Sequence, residues 1–153
     1  HELYCAAGAS GMIGGQVLDL EAEGRSIPLD ELVGIHRAKT GALIAASAVM
    51  GAIAAGAAEP QVEALRQYGF DVGLAFQIVD DVLDATASSA DLGKTAGKDA
   101  AQHKATYTAL LGVEAARREA QRQADSAVAR LQVLGLDSSL LAGLARLVVE
   151  RAS

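Results

Sequence analysis

The stretch that decides how this chain folds reads FQIVDDVLD and spans residues 76–84. Its apolar spacing predicts a largely buried helix, yet three carboxylates emerge from it, at Asp80, Asp81 and Asp84. Asp80 and Asp84 are four residues apart and share one helix face, whereas Asp81 is rotated from them by about 100°. A buried carboxylate is costly unless a positive group meets it. The stretch therefore predicts a cation site beside a helical core.

The chemistry of these acids favours Mg²⁺, with Mn²⁺ as an alternative. Oxygen ligands on a rigid helix suit ions that keep several waters and take their remaining ligands from a phosphorylated substrate. Asp80 and Asp84 would address one cation, and Asp81 would face a second cation or a nearby lysine. A short D-D-x-x-D motif also arises as an ordinary acidic patch facing water. The apolar residues around the acids favour the buried site over that patch.

The rest of the chain is typical of an all-α protein in one domain. It has only 2 prolines in 153 residues and no sustained two-residue alternation rich in β-branched residues. The pattern predicts helices over residues 3–22, from 28 to about 56, and from 59 to 84 or slightly beyond. It predicts a further helix from 106 to about 134 with a break near 112, and a last helix that is capped by Asp137 or Ser138 and ends near Arg151. Residues 86–102 are predicted to form a loop.

Composition narrows the function classes. Hydrophobic residues make up 51% of the chain but aromatics only 3%, which predicts closely packed helices built from Ala, Leu, Val, Ile and Gly. The net charge of −6 argues against nucleic acid as the main partner. Cys5 is the only cysteine, so no intrachain disulfide or cysteine metal cluster can form, and a cytoplasmic location is expected. The chain begins with His1 and shows no leader, so we expect a processed terminus or missing upstream sequence.

Residues 41–58 are almost entirely apolar and approach the length needed to span a bilayer. Most of them are Ala or Gly, which contribute little to insertion compared with Leu or Phe. A buried helix of a water-soluble protein is therefore the prediction, and a membrane or scaffold helix is the alternative.

Polar residues stand beside these apolar helices at three further places. Lys39 and Thr40 precede the apolar run, Gln16 and Asp19 lie on a glycine-rich helix, and residues 92–99, LGKTAGKD, carry two lysines suited to phosphate. Each has an ordinary alternative. Lys39 can extend to solvent, Gln16 and Asp19 can pair between helices, and the loop, which is not a P-loop, can be a plain surface loop.

Taken together, these clusters resemble the C-terminal half of the trans-prenyl diphosphate synthases, over nearly the whole chain. Residues 76–84 look like the second aspartate-rich motif of that family, and Gly14-Gly15-Gln16 with Asp19 looks like its glycine-rich helix signature. Lys39-Thr40-Gly41 resembles its Lys-Thr pair, and Lys94, Asp99 and Lys104 match its basic loop. The details of residues 14–24 and 106–112 look most like the bacterial farnesyl type.

The resemblance implies an all-α bundle of antiparallel helices around a central cavity, the isoprenoid synthase fold, of which residues 1–153 would be the C-terminal part of a single domain. It implies a cytoplasmic homodimer that condenses an allylic diphosphate, dimethylallyl or geranyl, with isopentenyl diphosphate to give farnesyl diphosphate, the C15 product. Mg²⁺ held by two aspartate-rich motifs would assist the departure of the allylic diphosphate. The resemblance implies neither a nucleic-acid partner nor a membrane span.

Carried over position by position, the resemblance assigns roles to residues of this chain. Lys39 and Lys94 would contact the allylic diphosphate, Thr40 and Gln77 would flank the reacting carbons, and Phe76 would line the homoallylic side. The implied catalytic residues are Lys39, Thr40 and Gln77, the substrate-binding residues are Lys39, Phe76, Gln77, Lys94 and Lys104, and the metal ligands are Asp80, Asp81 and Asp84.

The chain departs from the family in length. Members are roughly twice as long, and no second D-D-x-x-D motif occurs here. We therefore predict that this polypeptide alone is catalytically silent. The alternatives are a geranylgeranyl or longer-chain synthase and a non-catalytic subunit of a heteromeric synthase. A non-catalytic subunit is expected to have lost its acids, whereas all three are present here. A class I terpene cyclase shares the architecture but generally mixes Asn, Ser or Thr with Glu at its second metal site.

Overall fold

A computed structural model of the chain describes residues 1–90, 105–135 and 137–151, and only the backbone of residues 88–90. Every regular element in these residues is helical, which confirms the predicted all-α class. The α-helices are α1 (Glu2–Ala7), α2 (Met12–Ala22), α3 (Leu29–His36), α4 (Ala42–Ala54), α5 (Glu59–Ala90), α6 (Tyr107–Leu111), α7 (Val113–Arg130) and α8 (Ser139–Glu150). Arg37–Gly41 forms a π-helical turn between α3 and α4, and Leu131–Leu134 forms a 3₁₀ turn after α7.

Helix α5 lies at the centre of the molecule and packs against α4, α6, α7 and α8. Its core residues follow the helical period and are buried: Val72, Ala75, Ile78, Val79 and Val82. Helix α7 faces the core with alanines spaced mostly one turn apart: Ala116, Ala120, Ala124 and Ala127. Small side chains at this spacing let two helices approach closely. The chain, which has few aromatic residues, therefore forms its core by close packing of helices around α5.

Glycines bring α5 into backbone contact with α4 and the π-turn. A Cβ atom added to Gly69 would lie 2.3 Å from the Cα atom of Ala45, and one added to Gly73 would lie 2.7 Å from the Cα atom of Gly41. Neither space can hold a side chain unless the backbone moves. The two glycines of α5 thus set the distance between the π-turn and the part of α5 that carries Asp80, Asp81 and Asp84.

The predicted single helix over residues 3–22 is wrong, because α1 ends at Ala7 and α2 begins at Met12. The chain folds back on itself between the two helices. A Cβ atom added to Gly11 would lie 2.1 Å from the carbonyl oxygen of Ala6, and the N–H of Gly11 donates to the carbonyl oxygen of Gly8 at 3.0 Å. Gly8 and Gly11 both form part of this turn.

The second predicted helix is interrupted by the π-turn and ends at Ala54. Gly56 follows with φ of 72°, the left-handed conformation expected of the glycine that stops a helix. Of the described residues, none forms a helix that is both long and apolar enough to cross a bilayer. Helix α4 itself has 13 residues, about 20 Å of helix against roughly 30 Å of hydrocarbon.

The later boundaries agree with the sequence except at the end of α5. The predicted loop start at Thr86 is wrong, since α5 continues to Ala90 and the Thr86 hydroxyl donates to the carbonyl oxygen of Val82 at 2.9 Å. Residues 91–102 of that predicted loop lie outside the described residues. The break near Gly112 is confirmed, with φ of 80°. Ser138 is the N-cap residue of α8 and makes no side-chain capping bond, whereas Oδ1 of Asp137, just before it, accepts the N–H of Ser139 at 2.9 Å.

Candidate active site

The π-turn places two of the predicted catalytic residues against α5. Thr40, on the turn, donates a hydrogen bond from its hydroxyl to Oε1 of Gln77, which is 37 residues away in sequence. The backbone contact between Gly41 and Gly73 brings these side chains together. Single π-helical turns occur often at functional sites, because the extra residue re-aims the side chains around it.

Lys39, the third predicted catalytic residue, lies on the same π-turn. Its Nζ atom donates to Oδ2 of Asp19 on α2 at 2.7 Å, and Asp19 is only 8% exposed. The alternative that Lys39 merely extends to solvent is therefore wrong. The backbones of α2 and the π-turn touch here, since a Cβ atom on Gly15 would lie 2.2 Å from the amide nitrogen of Lys39.

The three acids of α5 have different surroundings. Asp80 is partly buried and Asp84 is exposed, on the shared face that their four-residue spacing predicts. Asp81 is buried, and its Oδ2 atom accepts the backbone N–H of Tyr107, at the start of α6, at 2.7 Å. One of the three carboxylates thus holds α6 against α5.

Asp80 is in contact with the C-terminal end of the described chain. The Nη2 atom of Arg151 lies 3.6 Å from Oδ1 of Asp80, and the guanidinium carbon of Arg151 lies 5.1 Å from the centre of the Phe76 ring. Burial raises the pKa of Asp80; the positive charge of Arg151 opposes the rise and the negative charge of Asp84 adds to it. Phe76 and Asp80, two of the predicted site residues, are thus bridged by one arginine.

The described residues supply part of a cation site. Among them, no three Asp, Glu, His or Cys side chains converge as a metal centre. Asp80 and Asp84 nevertheless offer two oxygen donors on one face, and burial raises the pKa of Asp80. Both features fit an ion that takes its other ligands from water and phosphate. The predicted residues Lys94 and Lys104, with Asp99, lie outside the described residues.

Sequence reasoning missed Asp71, a buried acid on α5 that is 5% exposed. Its Oδ2 atom accepts from the Ser126 hydroxyl at 2.8 Å and from Nε of Arg130 at 3.3 Å, and its Oδ1 atom lies 3.8 Å from Nη2 of Arg37 on the π-turn. An acid inside an apolar helical run was the available signal, the same one that marked residues 80–84. Asp71 therefore joins α7, α5 and the π-turn.

Arg151 and the glycine pair of α5 were also missed. Nothing local marks Arg151, because its contacts with Asp80 and Phe76 depend on how α8 packs. The four-residue spacing of Gly69 and Gly73 within a buried helix was a usable signal for close helix contact.

Fold and site together define a helical protein that gathers a lysine, a threonine, an amide and paired carboxylates around one long helix. The model of the family described as polyprenyl synthetase matches residues 4–133. The chain belongs to the polyprenyl synthetase family.

Similar proteins agree with this membership. The farnesyl diphosphate synthase of Escherichia coli (strain K12) is 47% identical over 154 aligned positions, which cover 98% of this chain and 52% of that protein. A chloroplastic geranylfarnesyl diphosphate synthase of Leucosceptrum canum is 48% identical, over 96% of this chain and 41% of that protein. A Helicobacter pylori geranyltransferase solved with magnesium and isoprenyl diphosphate superposes with a TM-score of 0.75 at 33% identity, covering 97% of this chain and 48% of that one. The chain thus spans about half the length of the relatives it matches.

Proposed function

We propose that this chain supplies one half of the active site of a magnesium-dependent prenyl diphosphate synthase. The enzyme would join an allylic diphosphate, dimethylallyl or geranyl, to isopentenyl diphosphate and release farnesyl diphosphate, the C15 product. The observation that carries the proposal is the meeting of Thr40 with Gln77 one turn before Asp80, within a chain of the polyprenyl synthetase family.

In the proposed reaction, negative charge accumulates on the departing diphosphate, so positive groups must be in place before the bond breaks. Asp80 and Asp84 would hold Mg²⁺, which supplies charge neutralisation at that diphosphate when bound. Lys39 would donate to the diphosphate oxygens together with Lys94, and Lys104 would contribute to substrate binding. Thr40 and Gln77 would flank the reacting carbons, and Phe76 would line the side that receives isopentenyl diphosphate.

Asp81 remains part of the proposed metal site, with a double role. Because its Oδ2 atom accepts the N–H of Tyr107, Asp81 also fixes the start of α6 against α5. We expect its removal to disturb the site by releasing α6 as well as by removing charge.

The product length is the finer part of the proposal. The E. coli farnesyl diphosphate synthase, 47% identical, supports a C15 product. A longer product is the second candidate, favoured by the equally similar geranylfarnesyl diphosphate synthase of L. canum and by a geranylgeranyl pyrophosphate synthase of Arabidopsis thaliana that is 44% identical. Chromatography of the lipid product against prenyl alcohol standards separates the two candidates.

We also propose that the complete enzyme works in the cytoplasm as a homodimer. Support for an association surface comes from α2, whose outer face exposes Ile13, Val17 and Leu20 to 55%, 48% and 55%. Apolar side chains exposed as a stripe on one helix commonly mark a contact with another surface.

The proposal is tested by cation binding to this chain. Mn²⁺ binding is followed by electron paramagnetic resonance with and without inorganic pyrophosphate. We expect pyrophosphate to tighten Mn²⁺ binding, and Asp80→Asn or Asp84→Asn to weaken it by about tenfold, since each removes one charged oxygen ligand. The matched control is Asp125→Asn, which removes an exposed acid of α7. Equal binding by all four proteins would contradict the proposal.

A further inference from the structure

The contact between Lys39 and Asp19 joins two helices at a backbone-to-backbone junction. Asp19 lies one turn after Gly15 on α2, and Gly15 has no room for a Cβ atom because the amide of Lys39 fills that space. The backbone contact between α2 and the π-turn therefore places the carboxylate of Asp19 next to Lys39. The resulting 2.7 Å ion pair is largely buried on the Asp19 side.

The geometry leaves Lys39 able to bind a second anion. A lysine ammonium has three N–H donors, and the hydrogen bond to Asp19 uses one of them. The lysine side chain is 29% exposed, so the pair does not bury it completely. A long flexible side chain fixed by one acid before a ligand arrives loses less rotamer freedom when the ligand binds.

Two opposite effects of Asp19 must be weighed. Its negative charge repels a diphosphate, which would weaken binding, while its hold on the ammonium orients a donor, which would strengthen binding. The substitution Asp19→Asn separates these effects. Asparagine removes the negative charge that repels the diphosphate but keeps a carbonyl oxygen that accepts a hydrogen bond from Lys39.

We propose that Asp19 is a positioning residue, which orients the Lys39 ammonium for the diphosphate of the substrate. The inference rests on the proposed function, since it takes Lys39 as the group that contacts diphosphate. The observations that carry it are the 2.7 Å ion pair, the burial of Asp19 and the absence of space at Gly15.

The test measures the affinity of this chain for inorganic pyrophosphate with Mg²⁺ by isothermal titration calorimetry. We expect Asp19→Ala to weaken binding by about 3- to 10-fold, the range set by the cost of ordering one flexible side chain. Asp19→Asn should recover most of the lost affinity. Glu21→Ala, which removes an exposed charge two residues away on α2, is the control and should bind like the wild-type chain.

A double-mutant cycle shows whether Asp19 acts through Lys39. In a Lys39→Gln background, Asp19→Ala should have no further effect on pyrophosphate affinity. Thermal unfolding of each variant checks that it is folded. If Asp19→Ala does not fold, Asp19→Leu replaces it, because leucine keeps about the size of the side chain and offers Lys39 no acceptor.

The outcomes separate the two proposals. If the wild-type chain binds pyrophosphate and Lys39→Gln weakens that binding, the role of Lys39 stands. The positioning role alone is then overturned by either of two results. One is unchanged or tighter pyrophosphate binding by Asp19→Ala. The other is a loss of affinity from Asp19→Ala that is as large in the Lys39→Gln background as in the wild-type chain. If Lys39→Gln binds like the wild-type chain, the proposed role of Lys39 fails and the inference about Asp19 fails with it.

Discussion

At the scale of single residues, burial raises the pKa of Asp80 above its ordinary value of 3.8. A raised pKa means that the folded chain favours the protonated form of this carboxyl. Protonated Asp80 therefore contributes its full stabilisation of the fold below the unfolded-state pKa, and this contribution is lost as pH rises through the folded-state pKa. We therefore expect ionised Asp80 to lower the stability of the fold at neutral pH. We predict that Asp80→Asn increases the free energy of unfolding, with a gain that is absent below pH 3.8 and grows toward neutrality.

Urea unfolding at a series of pH values measures this gain. Asp125→Asn, on an exposed part of α7, is the control and should show no comparable trend. A difference between Asp80→Asn and the wild-type chain that stays constant across the series would refute the prediction.

Asp71 is a buried acid whose loss we expect to lower the stability of the fold. Asp71→Ala removes the hydrogen bond from Ser126 and the charge that holds Arg130 and Arg37. We predict a loss of about 1–3 kcal/mol in the free energy of unfolding, the range for breaking a buried charged hydrogen bond. Asp125→Ala should change it by less than about 0.5 kcal/mol, as exposed positions do. Equal urea midpoints for the two variants would refute this role of Asp71.

At the scale of elements, the junction between α5 and the π-turn depends on the absence of side chains. Gly73→Ala would place a Cβ atom 2.7 Å from the Cα atom of Gly41, so the two segments must separate. We predict a loss of about 1–3 kcal/mol in stability, as for other overpacked contacts. Gly51→Ala on α4, where a Cβ atom meets nothing within 4 Å, is the control and should gain about 0.5–1 kcal/mol.

Thermal and urea unfolding compare the two glycine variants directly. Because the close contact at Gly73 also carries Thr40 to Gln77, Gly73→Ala should weaken magnesium–pyrophosphate binding as well. Stabilisation by both substitutions would show that the helices tolerate a wider spacing.

At the scale of the whole molecule, the chain spans about half the length of its relatives, 52% of the E. coli farnesyl diphosphate synthase. Helix α8 leaves an apolar stripe at the surface, with Leu140, Leu144 and Leu147 exposed to 85%, 48% and 56%. Surfaces of this kind are usually covered by further protein. We predict that the chain alone makes no farnesyl diphosphate from its two substrates with Mg²⁺, as measured by incorporation of labelled isopentenyl diphosphate. Robust turnover would contradict this prediction.

The helices and the candidate residues could be read from the sequence because they depend on local rules. Helical spacing of apolar residues gave the all-α class, and glycines at 56, 112 and 135 marked helix ends through their left-handed backbone. The same local rules failed at residues 8–11, where a tight turn between two helices has the same glycine-rich composition as a packed helix face.

The sequence by itself determined the class of fold, the family and the acids, lysine, threonine and amide that form the candidate site. Only the tertiary structure decided which contacts form: Lys39 with Asp19, Thr40 with Gln77, and Asp81 with the start of α6. The physical reason is that these contacts join residues 20, 37 and 26 positions apart. Such contacts depend on how closely glycines and alanines let helices approach, a distance that no local periodicity contains.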